Sequence, residues 1–170
     1  MLINVEFKAR CSDTERIRKI LYSLKAEYKG RDHQVDIYFN VPNGRLKLRK
    51  GNIENNLIGY EREDYAGSKQ SNIRLFKTES DSTLEDVLTA ALGVKITVDK
   101  QRDIYFIDNV KFHVDDVRGL GTFVEVEAID KDGSIGKEKL QEQCKNYRTL
   151  FGIQNDDMIA ESYSDLLIKI

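Results

Sequence analysis

The feature that most constrains this chain is the make-up of its strand-like segments, whose polar positions hold almost nothing but ions. In HVDDVRGLGTFVEVE at 113–127, His113 and Asp115 fall on one face of a strand. Glu125 and Glu127 do the same on the next, while Val114, Val124 and Val126 take the opposite side. Residues two apart share a strand face, so one face is apolar and the other charged. The pattern recurs with Glu6 and Lys8 against Val5 and Phe7, and with Arg45, Lys47 and Arg49 against Leu46 and Leu48. Lys100 and Arg102 share a face, and Arg62 and Arg74 sit mid-strand.

An ordinary solvated sheet face, with helices packed behind, is the simplest reading of any one such strand. Such a face intersperses signs, because like charges directly opposite destabilise a sheet. Here the signs separate. Arg45, Lys47, Arg49, Lys100 and Arg102 are all basic, whereas Asp115, Glu125 and Glu127 are all acidic. Segregated sets call for balancing partners outside the chain. A basic set suits a phosphate chain. An acidic set with few Cys or His nearby suits a hard cation such as Mg²⁺ or Mn²⁺. Together they describe a metal-bound polyphosphate.

Hydrophobic periodicity supplies the elements. Strands are expected at 2–10, 33–40, 45–50, 57–63, 72–78, 95–107, 110–117 and 122–129. Helices are expected after a Ser12/Glu15 capping box, with Ile17, Ile20, Leu21 and Leu24 inward, and after a Ser82/Glu85 box, with Leu84, Val87, Leu88 and Ala91 inward. Two more are expected near 137–151, with Leu140, Cys144, Tyr147 and Phe151 inward, and at 156–168. Short sequential connections favour antiparallel pairing. If eight strands close into a barrel, the charged face lines a polar lumen and the apolar face packs outward under the helices. The fold class is therefore α+β, an eight-stranded antiparallel barrel with helices outside, in one domain over 1–170 without a linker or repeat.

The 170 residues carry 27 basic and 29 acidic side chains, a net charge of −2. That balance argues against a nucleic-acid or membrane-surface binder, which shows a basic excess. Two cysteines make no disulfide framework, and no run of 18 apolar residues occurs. A cytoplasmic protein is expected. His113 reads either as metal or proton chemistry or as a hydrogen-bonded strand residue. Gly119-x-Gly121 reads as a hairpin turn, and Cys144 as core.

These segments resemble the CYTH superfamily, the triphosphate tunnel metalloenzymes, and are most like its class IV adenylyl cyclase branch. The family's E-x-E-x-K motif reads Asn4-Val5-Glu6-Phe7-Lys8 here, with Asn in place of the first Glu. His33 to Phe39, Gly44 to Arg49, Lys100-Gln101-Arg102, His113-Val114-Asp115, Gly119-Leu120-Gly121, Glu125-Val126-Glu127 and the tail Ser162 to Leu167 carry the rest. The resemblance spans nearly the whole chain, and order and spacing make it specific.

The resemblance implies an eight-stranded tunnel that binds a triphosphate with Mg²⁺ or Mn²⁺. Glu6, Glu125 and Glu127 would be metal ligands, with Asp115 a further ligand or the group that orients the attacking atom. Lys8, Lys47, Arg49, Lys100 and Arg102 would grip phosphate oxygens, with Lys8 also catalytic and Arg62 and Arg74 as additions. Glu61 and Glu63 compete with Arg62 for the inward face, since a one-residue slip reverses a strand. The expected reaction is ATP to cyclic AMP and pyrophosphate, a phosphorus–oxygen lyase. The alternatives are an inorganic or organic triphosphatase and a non-catalytic nucleotide- or polyphosphate-binding tunnel. A homodimer is the partner that the family suggests.

Overall fold

A computed structural model describes residues 2–62 and 67–170, apart from the Arg62 side chain. Eight strands close into an antiparallel barrel: β1 (Leu2–Arg10), β2 (Glu27–Phe39), β3 (Arg45–Lys50), β4 (Asn56–Arg62), β5 (Lys69–Lys77), β6 (Val94–Ile107), β7 (Val110–Val117) and β8 (Gly121–Asp130). Their order around the ring is β1-β5-β4-β3-β2-β6-β7-β8, and β8 closes on β1. Four helices lie outside: α1 (Thr14–Ser23), α2 (Leu84–Leu92), α3 (Lys137–Leu150) and α4 (Tyr163–Ile168). The expected end of the fourth strand at 63 lies outside the described residues.

The main core sits between the barrel wall and α1 and α3. Val5, Phe7, Phe112, Val114, Val124 and Val126 face outward and meet Ile17, Leu21, Leu140, Cys144 and Phe151. Phe112 makes edge contacts with Tyr147, centroids 4.7 Å apart, and with Phe151 at 5.9 Å. A second apolar cluster departs from the expectation that all the core lies outside. Val98 pairs with Asp36, Val117 with Lys100 and Phe123 with Asp115, so these three apolar residues share the lumen face. Together with Tyr38 and Tyr163 they stop one end of the bore beneath α4.

Several local expectations change. Asp13, not Ser12, caps α1 by accepting from the Arg16 N–H at 3.1 Å. At α2 no side chain caps the start. Glu85, the expected box partner, pairs with Lys50 instead. The inward stripe of α2 is Leu84, Leu88 and Leu92, and Val87 is 60% exposed, because one ridge at four-residue spacing is all that touches Ile37, Phe39 and Leu48. The expected helix at 156–168 is broken into a 3₁₀ turn at Asn155–Asp157 and α4. Between them Met158 bridges to Ala9 and the Ile159 N–H donates to the Lys8 carbonyl at 2.9 Å, so strand pairing along β1 outcompetes helix. A capping box of Ser162 and Asp165 then starts α4.

Phe112→Ala removes a fully buried ring from this packing and should cost about 3–5 kcal/mol. Urea unfolding with unchanged m-value checks it; a loss under about 1 kcal/mol would show that the Phe112 site collapses freely.

Candidate functional site

Cross-strand register places the ions. Asp36 on β2 lies opposite Arg49 on β3, and Arg102 on β6 lies opposite Asp115 on β7. Both pairs are bidentate. Arg49 Nε and Nη2 each reach Asp36 at 2.8 Å, and Arg102 Nε and Nη2 reach Asp115 at 2.7 and 2.6 Å. Asp36 also accepts from Lys100 Nζ at 2.8 Å and Lys47 Nζ at 3.1 Å. One buried carboxylate thus gathers three cations from strands on both sides. Burial disfavours its charge, but Arg49, Lys100 and Lys47 hold the Asp36 carboxyl well below the usual range. Lys100 is brought down to about 7 by burial, against the attraction of Asp36 and with the repulsion of Arg49 and Arg102.

The acids gather on the neighbouring wall. On β1 and β8, Glu6 lies opposite Glu127 and Lys8 opposite Glu125. Carboxylate oxygens of Glu6, Glu125 and Glu127 lie within 4.8 Å of one another. Asn4 Nδ2 donates to Glu127 Oε1 at 3.2 Å and to Glu6 Oε2 at 3.4 Å. Its Oδ1 is buried with no hydrogen-bond partner among the described residues. The three carboxylates form a hard-oxygen donor set that fits Mg²⁺ or Mn²⁺. Burial and the charges of Glu6 and Glu125 push Glu127 up to about 8. Burial also opposes the charge on Glu125, but His113, Arg102 and Lys8 overcome it and hold that carboxyl well below its usual range. The two sets meet where Arg102 Nη2 approaches Glu125 Oε2 at 3.7 Å.

The expected residues divide three ways. Lys8, Lys47, Arg49, Lys100, Arg102, Glu6, Glu125 and Glu127 all line the same cavity. Asp115 is set behind them, fully occupied by Arg102 and by the Tyr163 hydroxyl at 2.7 Å, and does not join the three-carboxylate group. Arg74 is exposed: Ser71, Ile73 and Leu75 take the lumen face of β5, so period-2 alternation turns Arg74 outward. The Arg62 side chain and Glu63 lie outside the described residues, and Glu61 is exposed. Arg45 leaves the bore for Ser162 and Asp165, at 2.8 Å each.

His113 is buried opposite Glu125, its Nδ1 3.6 Å from Oε1 and outside hydrogen-bonding distance. Burial and Arg102 bring its pKa down to about 4, so it is neutral at pH 7, and among the described residues Glu125 is the polar group beside the ring. Sequence reasoning gave no role to Asp36, Glu54 and Tyr163. Asp36 was signalled by an acid alternating with Gln34 and Tyr38 between two basic strands. Tyr163, whose ring lies 4.2 Å from Lys8 Nζ, and the loop residue Glu54 had no periodic signal. The remaining wall is mainly apolar, made by Leu2, Ile58, Ile73, Leu75 and Ile129 beside Asn56 and Ser71.

A closed antiparallel barrel with an ionic bore defines the class of protein to compare. The CYTH domain pattern matches residues 2–163, and the chain belongs to that family. A Methanocaldococcus jannaschii protein named "Putative adenylate cyclase MJ0240" is 28% identical, over 97% of this chain and 98% of that protein. The structure of PH1012 protein from Pyrococcus horikoshii superposes with a TM-score of 0.79 at 24% identity, covering 96% of this chain and 98% of that one. A Hippeastrum protein, whose structure report names it a "putative adenylyl cyclase" with "a dominant" triphosphatase activity, superposes at 0.64 with 12% identity over 99% of this chain and 94% of that one. At these identities the structural likenesses speak for the fold alone. Among the described residues no helix is long and apolar enough to cross a membrane.

Asp115→Asn removes the bidentate counter-charge of the buried Arg102 guanidinium, leaving it only Glu125 at 3.7 Å, and should cost about 3 kcal/mol of stability, whereas Tyr163→Phe removes one hydrogen bond worth roughly 1 kcal/mol. Equal effects in chemical denaturation would contradict this ranking.

Metal binding should be proton-linked. Glu127, with its pKa raised from 4.5 to about 8, is largely protonated at pH 7, and a metal needs it ionised. Mg²⁺ or Mn²⁺ binding at pH 7 therefore releases a proton, and affinity rises with pH until above 8. Calorimetry in buffers of different ionisation heat measures this; heats that do not depend on the buffer would show that Glu127 is already ionised.

Proposed function

We propose that this chain is a divalent-metal-dependent enzyme that binds a triphosphate in its bore and converts ATP to cyclic AMP and pyrophosphate. The observation that carries this reading is the contact of a cationic wall with a carboxylate cluster in one cavity: Lys47, Arg49, Lys100 and Arg102 beside Glu6, Glu125 and Glu127. Within the wall four cations face three acids, Asp36, Asp115 and Glu54, which leaves one positive charge in excess for a polyanion. Bound phosphate would also favour the charged form of Lys100, whose pKa burial lowers to about 7.

Glu6, Glu125 and Glu127 would hold Mg²⁺ or Mn²⁺. When bound, the metal supplies Lewis-acid polarisation of the phosphoryl oxygens. Arg102, fixed by Asp115 and Tyr163, is preorganised to stabilise charge developing on the phosphoryl group undergoing substitution. Asp115 acts through Arg102 as a positioning residue. Lys8, between Tyr163 and Glu125, supplies a further cation at the reacting end. Attack by the ribose 3′-hydroxyl on the α-phosphorus expels pyrophosphate, and the basic wall stabilises the leaving charge.

The second reading, a triphosphatase, is favoured by the Hippeastrum protein, which shares the fold and is described as having a dominant triphosphatase activity. The two reactions use the same ions and differ in which phosphorus sits at the carboxylates. Product analysis after incubation with ATP and Mg²⁺ or Mn²⁺ separates them, with inorganic tripolyphosphate in parallel. Cyclic AMP is expected, reduced on the order of a hundredfold or more in Glu125→Gln. ADP, or phosphate from tripolyphosphate, lost in the same variant assigns the triphosphatase. Binding without turnover assigns a non-catalytic tunnel.

A further inference from the structure

Glu54 belongs to the loop between β3 and β4, yet its carboxylate is inside the bore. Oε1 pairs with Lys111 on β7, and Oε2 accepts from Arg49 Nη1 and Gln34 Nε2 at 3.1 Å each. The strands that hold Glu54 are β2, through Asp32 and Gln34, and β3, through Arg49, which stand two and three places from β7 in the ring. The Glu54–Lys111 ion pair is therefore a bar over part of the barrel's end, between strands that are not neighbours.

The loop is built to hold that bar. Asp32, fully buried on β2, accepts from the backbone N–H groups of Asn52 at 2.6 Å, Ile53 at 2.9 Å and Glu54 at 3.0 Å, and from Gln34 Nε2 at 2.9 Å. Asn55 ties the loop's base, accepting from the Gly51 N–H at 3.1 Å and donating to its carbonyl at 3.0 Å. A Cβ at Gly51 would lie 2.7 Å from both Asp32 carboxylate oxygens, so the close approach demands glycine.

A carboxylate on Arg49 and Lys111 opposes the binding of any anion there. The other end of the cationic wall is stopped by Val98, Val117, Phe123 and Tyr163. The wall is thus finite, bounded by an apolar plug and by a fixed negative charge. We propose that Glu54 is a specificity-determining residue: it ends the phosphate-binding wall and makes the bore select a triphosphate over longer linear polyphosphates. A longer chain has to run its next phosphate against the Glu54 carboxylate, a like-charge contact that rejects the wrong ligand. This rests on the triphosphate reading above.

The test is calorimetric titration of the full chain, with and without Mg²⁺, using inorganic tripolyphosphate and a long-chain linear polyphosphate. Glu54→Gln removes the carboxylate and frees Arg49 and Lys111. Glu54→Gln combined with Lys111→Gln removes the carboxylate without releasing a lysine, and keeps an amide pair should the single variant unfold. The wild type should prefer tripolyphosphate, and both variants should shift the affinity ratio toward the long chain by roughly tenfold or more. A ratio within about twofold of wild type in either folded variant overturns the assignment. A wild type that binds neither phosphate overturns the triphosphate reading itself, and this inference with it.

Discussion

Everything in the bore depends on two buried carboxylates. Lys47, Arg49, Lys100 and Arg102 project into one low-dielectric space, where unit charges a few ångströms apart repel strongly. Asp36 and Asp115 make that arrangement stable through bidentate contacts and shared hydrogen bonds, the geometry that lets a buried ion pair offset its desolvation. Each also fixes its guanidinium in a single orientation. The binding surface is rigid before any ligand arrives, and a rigid donor array loses little entropy on binding.

Barrel closure supplies the rest of the constraint. A closed ring has no edge, so every strand has two neighbours and each register determines which side chains meet. The register of β1 on β8 makes the carboxylate cluster, that of β2 on β3 makes the Asp36–Arg49 pair, and that of β6 on β7 makes the Arg102–Asp115 pair. The outer faces of the same strands bury Phe7, Phe112 and Val126 under α1 and α3. Packing outside and chemistry inside are thus two consequences of one alternation, and slipping any of these strands by one residue would destroy both.

That alternation is why so much was legible in the sequence. The barrel, the lumen residues of β1, β3, β6 and β8, and the inward faces of α3 and of α1 apart from Leu24, which is exposed just past the helix end, follow from period-2 and period-3.6 patterns. What escaped has a physical cause in each case. Arg74 lies on a strand whose lumen face is Ser71, Ile73 and Leu75, so no run of like charges marked its orientation. The lumen plug of Val98, Val117 and Phe123 looks, in sequence, like any other apolar strand position; only pairing with Asp36, Lys100 and Asp115 turns it inward. The segment after α3 had helix-like composition but is drawn extended by its contacts with Lys8 and Ala9. Segregated signs suggested external balance alone, whereas Asp36 supplies internal balance from a strand with no acidic repeat.

Asn4 shows how a neutral residue can serve an ionic cluster. Glu6 and Glu127 lie directly opposite each other, and burial together with the charge of Glu6 raises the Glu127 pKa. The Asn4 amide donates to both carboxylates, which a fourth carboxylate in its place could not do while ionised. Its N–H groups offset repulsion between the two carboxylates. A glutamate there would add ligand charge and add a like-charge neighbour to Glu6 and Glu127. The amide therefore exchanges part of the cluster's electrostatic pull on a cation for a carboxylate group that holds together without one.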